Sequence, residues 1–118
     1  MNNYNDPLVS IFIPTFNRAH YLDECLYSLT KQDYSAFEVV IRDNHSEDDT
    51  ESIVKKYESF FHNRTGYRYI KNKINEGYIN NIMRGVWSCS GKYCMILMDD
   101  DFLCARNTIS LFVSALEK

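Results

Sequence analysis

Glycine and proline are scarce in this sequence, with four and two among 118 residues, and long hydrophobic runs are missing. This composition excludes collagen-like and low-complexity chains. The longest apolar stretches run from Leu8 to Pro14 and from Tyr93 to Met98, whereas a membrane-spanning helix needs about 20 apolar residues. A chain of this length has room for one hydrophobic core. We therefore expect one globular unit over residues 1–118.

Positive charge is also in the minority, and the formal net charge of -3 disfavours a nucleic-acid partner. The first seven residues are polar and lack the basic and then apolar layout of a signal peptide. The four cysteines contain no C-x-x-C spacing and have no histidine pair near them, so the sequence predicts neither a zinc site nor a redox pair. Together these features predict a reduced, cytoplasmic protein.

Apolar β-branched runs alternate with amphipathic segments along the chain. Strands are predicted at 9–13, which Pro14 would end, and at 37–41, 67–70 and 92–98. Four helices are predicted. The first covers 19–32, and the second runs from Asp48 or Asp49 to Phe60 or Phe61. The third contains residues 79–87 and is ended by Gly91, and the last contains residues 109–116 and reaches the C-terminus. The third helix is expected to face inward through its apolar residues, which are Ile79, Ile82, Met83, Val86 and Trp87.

This order of strands and helices predicts a mostly parallel α/β sheet with helices on both faces. Ligands bind beyond the carboxyl ends of the strands in such sheets. A polar loop follows every predicted strand, and together the loops contain Thr15, Asn17, Arg18, Asp43, Asn44, Ser46, Asn75, Gly77 and Asp99–Asp101. The sequence therefore predicts one binding site at one edge of the sheet.

Three adjacent aspartates, Asp99, Asp100 and Asp101, follow the fourth apolar run. Neighbouring carboxylates repel one another, and partial desolvation makes this repulsion costly. Carboxylate oxygens suit hard cations such as Mg²⁺ or Mn²⁺, which commonly hold phosphate groups through one or two carboxylates. The run therefore predicts a metal site. The alternative interpretation is a solvated acidic loop that caps the next helix.

The remaining loops contain residue types that suit a ligand and also suit ordinary turns. Asp43 offers an acceptor for a base N–H or a ribose hydroxyl, yet Asp-Asn-x-Ser is also a common turn sequence. Gly77 would let the backbone approach a ligand closely. Arg84 is either a phosphate partner or an exposed helix residue. The three histidines share no ligand spacing, and we assign them no role.

In combination the four loops resemble glycosyltransferase family 2, which has the GT-A fold, and the correspondence runs from Val9 to about Leu116. The first loop is similar to the family's P-T-[YF]-N-R segment and the second to its D-[ND]-x-S segment. The third matches N-x-G, and the acidic run matches the metal-binding D-x-D region. Asn81 stands where a branch resembling O-antigen sugar transferases often has Asn. These motifs lie at 14–18, 43–46, 75–77 and 99–101.

The resemblance implies a Rossmann-like GT-A sheet of which only the nucleotide-sugar-binding portion is present, truncated on its C-terminal side. It implies Mn²⁺ or Mg²⁺ held by Asp99, Asp100 and Asp101. It also implies binding of a nucleoside-diphosphate sugar, with a UDP-sugar ranked ahead of dTDP-, GDP- and CDP-sugars. The residues implied for the donor are Pro14, Thr15, Asn17, Arg18, Asp43, Asn75, Gly77, Asn81, Asp99 and Asp100.

Two departures from the family pattern affect these expectations. Met98 stands where many members have the first Asp, so the pair of carboxylates that meets the metal is left open. Family members usually continue for at least another hundred residues, which include the acceptor-binding region and the general base. The general base is therefore expected beyond residue 118, and the incomplete domain is expected to expose apolar surface and to self-associate.

The resemblance implies that the longer parent enzyme transfers a sugar, with inversion, to a glycan or lipid-linked hydroxyl in cell-surface polysaccharide synthesis. Its expected location is the cytoplasm or the inner face of the membrane. One rival is a non-catalytic nucleotide-sugar-binding or interaction module with the same fold. A receiver-type signalling domain is a second rival, but it needs an acidic pair near the first strand, where this chain has Pro14 and Thr15.

Overall fold

The computed structural model describes residues 5–63 and 66–118. Within these ranges four parallel strands form one sheet in the order β3-β2-β1-β4. The strands are β1 (Val9–Thr15), β2 (Phe37–Asp43), β3 (Gly66–Lys71) and β4 (Tyr93–Ile96). The helices are α1 (Ala19–Leu29), α2 (Thr50–Lys56), α3 (Glu58–His62), α4 (Tyr78–Trp87) and α5 (Thr108–Leu116). The α/β alternation predicted from the sequence is confirmed.

One face of the sheet is mainly apolar and carries the hydrophobic core. Ile11, Ile13 and Ile41 are fully buried on this face, as the branched side chains of β1 and β2 predict. Burying each of them contributes about 1.5–3 kcal/mol. Helices α1, α2, α3 and α5 cover the face with the apolar side chains Leu22, Cys25, Leu26, Leu29, Val54, Phe61, Ile109 and Val113.

Helix α4 packs on the opposite face, and it does so through small and polar residues. Gly85 lies so close to β1 that an added Cβ would stand 1.8 Å from the ring of Phe12. Asn81, one turn earlier, is also buried. Because the helix rests on the stripe formed by these residues, most of its apolar residues point away from the sheet, and Ile82 is half-buried.

The predicted inward face of α4 is therefore wrong. Trp87 is 85% exposed, and Ile79, Met83 and Val86 are also exposed. The apolar periodicity does correspond to a helix, but the side of the helix that meets the sheet is set by the close approach at Gly85. The prediction of self-association rests on apolar surface of this kind, and it stays a prediction.

Several predicted element ends differ from the structure. Pro14 lies inside β1 rather than after it. β1 pairs with β4 only as far as Phe12–Ile96, and the Pro14 nitrogen, which cannot donate a hydrogen bond, faces that side beyond the last pair. The single helix predicted after Asp49 is divided at Tyr57 into α2 and α3. β4 ends at Ile96, so the acidic run lies in a loop.

In the described part of the chain, no helix has the length and apolar character required to span a membrane.

Candidate functional site

The carboxyl ends of the parallel strands border a cleft of about 300 Å³. The loops after β1, β2 and β4 contribute to its walls, as do the segment after β3 and the first turns of α4. Its lining residues are Pro14, Thr15, Phe16, Arg18, Asn44, Asn75, Tyr78, Asn81, Met98, Asp99 and Asp100. The polar loops predicted to meet at one edge of the sheet therefore border a single concave surface.

Asp99 is the buried member of the acidic run. Its side chain is 5% exposed, and Oδ2 accepts a 2.8 Å hydrogen bond from the hydroxyl of Thr15. Burial raises the pKa of this carboxyl above its ordinary value, against the opposing effects of the Thr15 hydrogen bond and the Arg18 charge. A carboxylate held at the base of a cleft in this way is a favourable ligand for a cation.

Asp100 and Asp101 lie at the surface. Asp100 Oδ2 is 2.9 Å from Arg18 Nη1, and both side chains are about half exposed. Asp101 donates its backbone N–H to the carbonyl of Met98, which closes a turn. Because of this turn the three carboxylates do not converge, and no group of three His, Cys, Asp or Glu side chains in the described residues is arranged to hold a metal ion.

Asp43 lies behind the cleft rather than in it. Its side chain is fully buried. Oδ1 accepts a 2.8 Å hydrogen bond from the backbone N–H of Ser46, and Oδ2 accepts a 2.6 Å bond from the hydroxyl of Tyr69. Asp43 therefore forms the turn that the alternative interpretation of Asp-Asn-x-Ser predicted, and its neighbour Asn44 lines the cleft.

Asparagine side chains join the second and third loops to α4. Asn44 donates to Asn75 Oδ1 over 2.9 Å and accepts from the Asn72 amide and from the backbone N–H of Glu76. The Asn72 amide also donates to Asn81 Oδ1 over 2.8 Å. Two donors on Asn44 Oδ1 fix the orientation of its amide, so Nδ2 is the atom that it can offer to a ligand as a donor.

Two predicted residues position the loops without lining the cleft. Asn17 has a φ of 51°, and it bonds the second loop through its backbone N–H to Ser46 Oγ and through Oδ1 to the Glu47 N–H. Gly77 has a φ of 86°, a left-handed conformation that favours glycine, and it precedes the first turn of α4. In this structure both residues shape the loops beside the cleft, and their contact with a donor stays a prediction.

The structure thus brings most of the predicted residues together. Those that line the cleft are Pro14, Thr15, Arg18, Asn75, Asn81, Asp99 and Asp100. Asn17, Asp43, Gly77 and Asp101 lie outside its lining. The sequence placed Asn44 among the polar loop residues without a role and assigned no contact to Phe16, Tyr78 and Met98, although each is adjacent to a residue that it did single out. Phe16 and Tyr78 are exposed aromatics, a signal for stacking against a planar ligand.

The donor set suits a hard cation together with a phosphate-bearing ligand. Asp99 and Asp100 supply carboxylate oxygens, and Arg18 supplies a positive charge beside them. Mg²⁺ and Mn²⁺ prefer such oxygens, and Mg²⁺ is commonly bound by one or two carboxylates with the substrate's phosphates completing its shell. Two carboxylates, rather than three, therefore fit the chemistry of such an ion.

Comparison with known proteins identifies the family of this chain. The model of "Glycosyl transferase family 2" matches residues 10–118. A GalNAc(5)-diNAcBac-PP-undecaprenol beta-1,3-glucosyltransferase of Campylobacter jejuni is 31% identical over 94% of this chain and 35% of its own length. An abequosyltransferase of Salmonella typhimurium is 33% identical over 93% of this chain and 33% of its own length. The chain thus spans about a third of these relatives.

Solved structures share the fold. A mannosyltransferase of Pyrobaculum calidifontis, in complex with GDP-Man and Mn²⁺, superposes with a TM-score of 0.87 at 25% identity, over 98% of this chain and 34% of that one. S. aureus TarS 1-349, in complex with UDP-GlcNAc, gives 0.81 at 28% identity, over 92% of this chain and 31% of that one. The chain belongs to glycosyl transferase family 2 and has the GT-A fold.

Proposed function

We propose that this member of glycosyl transferase family 2 provides the donor-binding part of a metal-dependent enzyme that uses a nucleoside-diphosphate sugar. The observation that carries the proposal is the cleft itself. Thr15, Arg18, Asn44, Asp99 and Asp100 come from three strand ends and line one concave surface. This is the edge at which parallel α/β sheets bind their ligands.

The divalent cation is proposed at Asp99 and Asp100. Asp99 is oriented by the Thr15 hydroxyl, and Asp100 would exchange its ion pair with Arg18 for the cation. That exchange would leave the Arg18 guanidinium free to donate to phosphate oxygens, a geometry in which arginine is strong. When bound, Mn²⁺ or Mg²⁺ supplies charge neutralisation for the departing diphosphate.

The nucleoside is proposed to lie between the first and second loops. Asn44 faces the cleft where Asp43 does not, so Asn44 is the residue of the second loop that we assign to ligand contact. Its Nδ2 would donate to a carbonyl or hydroxyl oxygen of the nucleoside. Phe16 and Tyr78 would pack against the ring or the ribose. A UDP-sugar remains the first candidate donor, ahead of dTDP-, GDP- and CDP-sugars.

The proposal for the longer protein is transfer of the sugar, with inversion, to a glycan or lipid-linked hydroxyl. One relative is named for an undecaprenol-linked acceptor and another for transfer of abequose. Such acceptors favour a location in the cytoplasm or at the inner face of the membrane. The general base is proposed outside residues 1–118. The competing proposal is a non-catalytic module that binds a nucleotide sugar, and product assays on the longer protein would separate the two.

Isothermal titration of the folded chain with UDP, dTDP, GDP and CDP, each with and without Mn²⁺, tests donor binding. We expect binding of at least one nucleotide, and we expect Mn²⁺ to tighten it. The absence of binding by all four nucleotides to a sample with a cooperative unfolding transition would contradict the proposal.

A matched pair of variants tests the assignment of the cation ligands. Asp99→Asn and Asp100→Asn are expected to remove the Mn²⁺ dependence of nucleotide binding, because each deletes a charged ligand. Asp101→Asn is the control, since Asp101 lies outside the cleft lining. Loss of the Mn²⁺ effect in Asp101→Asn alone would show that Asp101, and not Asp99 or Asp100, is the metal ligand.

A further inference from the structure

Cys89 and Cys94 are brought into contact on the face of the sheet that carries α4. Their sulfur atoms are 3.6 Å apart. Cys89 follows the last turn of α4, and Cys94 lies on the edge strand β4 beside Ser10. These two cysteines do not have the C-x-x-C spacing of a redox pair, so their proximity arises from the fold.

The turn between the two cysteines is fixed to the sheet. Ser90 donates its backbone N–H to the carboxylate of Glu38 over 2.7 Å, and Gly91 donates its own to the hydroxyl of Ser10 over 2.8 Å. A Cβ at Gly91 would stand 2.7 Å from the backbone nitrogen of Ser10, so the turn lies directly against β1. The thiols are therefore held together by the tertiary structure.

The two thiols differ in exposure, and this difference suits them to successive steps. Cys94 is exposed at the open side of β4, whereas Cys89 is half-buried behind it. Burial, with a further contribution from the contact with Cys94, raises the pKa of Cys89 to about 12. Cys94 is the thiol that a small oxidant reaches first, and Cys89 is placed to react with the product.

We propose that Cys89 and Cys94 form an oxidative modification site, which closes to a reversible disulfide when the protein meets hydrogen peroxide. The thiolate sulfur of Cys94 attacks one peroxide oxygen. An S–O bond forms, the O–O bond breaks, and the second oxygen leaves as water after taking up a proton. The Cys94 side chain is then a sulfenic acid.

In the second step the sulfur of Cys89 attacks the sulfur of Cys94. The S–S bond forms as the S–O bond breaks, and the hydroxyl leaves as water with the proton of the Cys89 thiol. Two thiols and one peroxide thus give one disulfide and two waters. The bond ties the end of α4 to β4, and α4 also carries Asn81 of the cleft. A dithiol reductant reverses the step by exchange.

Peptide mapping by mass spectrometry after treatment with hydrogen peroxide tests the proposal on the intact chain. We expect a Cys89–Cys94 cross-link in most molecules, a mass loss of two hydrogen atoms, and full reversal by dithiothreitol. Cys104→Ser, which removes an exposed thiol elsewhere, should cross-link as the unaltered chain does. Absence of the cross-link in the folded chain, or cross-links between molecules in its place, would overturn the proposal.

Two single variants test the order of the steps. Cys89→Ser should accumulate a sulfenic acid at Cys94 that dimedone traps, to a level several-fold above that in the unaltered chain. Cys94→Ser should trap far less dimedone at Cys89, because that sulfur is the less accessible one. Cys94 is exposed, so we expect Cys94→Ser to fold. This variant therefore still tests the order of the steps if Cys89→Ser does not fold. Equal trapping in the two variants would contradict the assigned order.

Discussion

The two faces of the sheet are held by different kinds of interaction. The face under α1, α2, α3 and α5 is packed mainly with apolar side chains, and residues such as Ile11 and Ile41 are fully buried there. The face under α4 buries Glu38 and Asn81 beside Phe12 and Val40. The first face is stabilised by the area of apolar surface removed from water. The second depends on individual hydrogen bonds and on the absence of a side chain at Gly85.

Because of this difference, the apolar face mainly stabilises the fold, whereas the polar face orients residues that border the cleft. A close-packed apolar face tolerates hydrophobic exchange as long as volume is kept. A polar face fixes orientation, because each buried donor needs its own acceptor. The asparagines that join the second and third loops to α4 belong to the polar face, and they border the cleft. Four substitutions test the contrast, and they are ordered by the size of the expected effect.

Ile41→Ala should show the largest loss of stability. The substitution opens a cavity in the apolar face at a residue with no exposed surface. We expect the free energy of unfolding to fall by about 2–5 kcal/mol, measured by urea denaturation. Leu111→Ala is the control, because Leu111 is 61% exposed and its substitution should change little. Equal losses in both variants would refute the assignment of the core.

Gly85→Ala should reveal the close approach of α4. The new Cβ would meet the ring of Phe12 at 1.8 Å, so the helix or the ring must move. We expect a loss of about 3 kcal/mol in the same assay, despite the better helix propensity of alanine. The double variant with Phe12→Leu should recover part of the loss. Stabilisation by Gly85→Ala alone would show that the helix does not lie this close.

Asn81→Ala should weaken the polar face by a smaller amount. Removal of its amide leaves one N–H of Asn72 and the carbonyl of Arg42 without their bonds. The expected loss is about 2 kcal/mol. Asn80→Ala is the matched control on the same helix, because Asn80 is exposed and bonds only the nearby carbonyl of Glu76 among the contacts described. A loss in Asn80→Ala as large as that in Asn81→Ala would count against the network.

Glu38→Gln should produce the smallest effect, and one that depends on pH. Burial acts to raise the pKa of Glu38, but bonds from Ser10 and Ser90 and the charge of Arg68 together hold it below its ordinary value. A lowered folded-state pKa means that the carboxylate stabilises the fold above pH 4.5, the ordinary value, and loses this contribution as pH falls through the folded value.

The measurement compares urea midpoints at neutral pH and below the folded-state pKa. We expect the variant to lose less stability than the unaltered chain between these conditions, because it lacks the carboxylate whose contribution disappears on protonation. Glu24→Gln supplies the control, since Glu24 is exposed. A pH dependence unchanged by Glu38→Gln would show that this carboxylate carries no net stabilisation.

The local pattern predicted the strands well and the contact surfaces less well. Branched apolar runs identified β1 and β2, and the alternation of strands and helices predicted the parallel sheet. The apolar face of α4 was assigned to the wrong side, because the burial of a helix depends on which stripe approaches the sheet. The sequence contained a clue in Gly85. Glycine lowers the stability of a helix interior, so its presence in α4 is consistent with a close packing contact at that position.

By itself, the sequence determined the order of strands and helices and the loops that supply the polar groups, because hydrophobic period and turn chemistry are local properties. Only the tertiary structure decided that Asn44 and not Asp43 faces the cleft, that Asp99 is buried while Asp100 and Asp101 are not, and that two cysteine sulfurs lie in contact. The physical reason is that these outcomes depend on partners from distant segments. Thr15 lies 84 positions from Asp99, and their hydrogen bond exists only when β1 and the loop after β4 lie side by side.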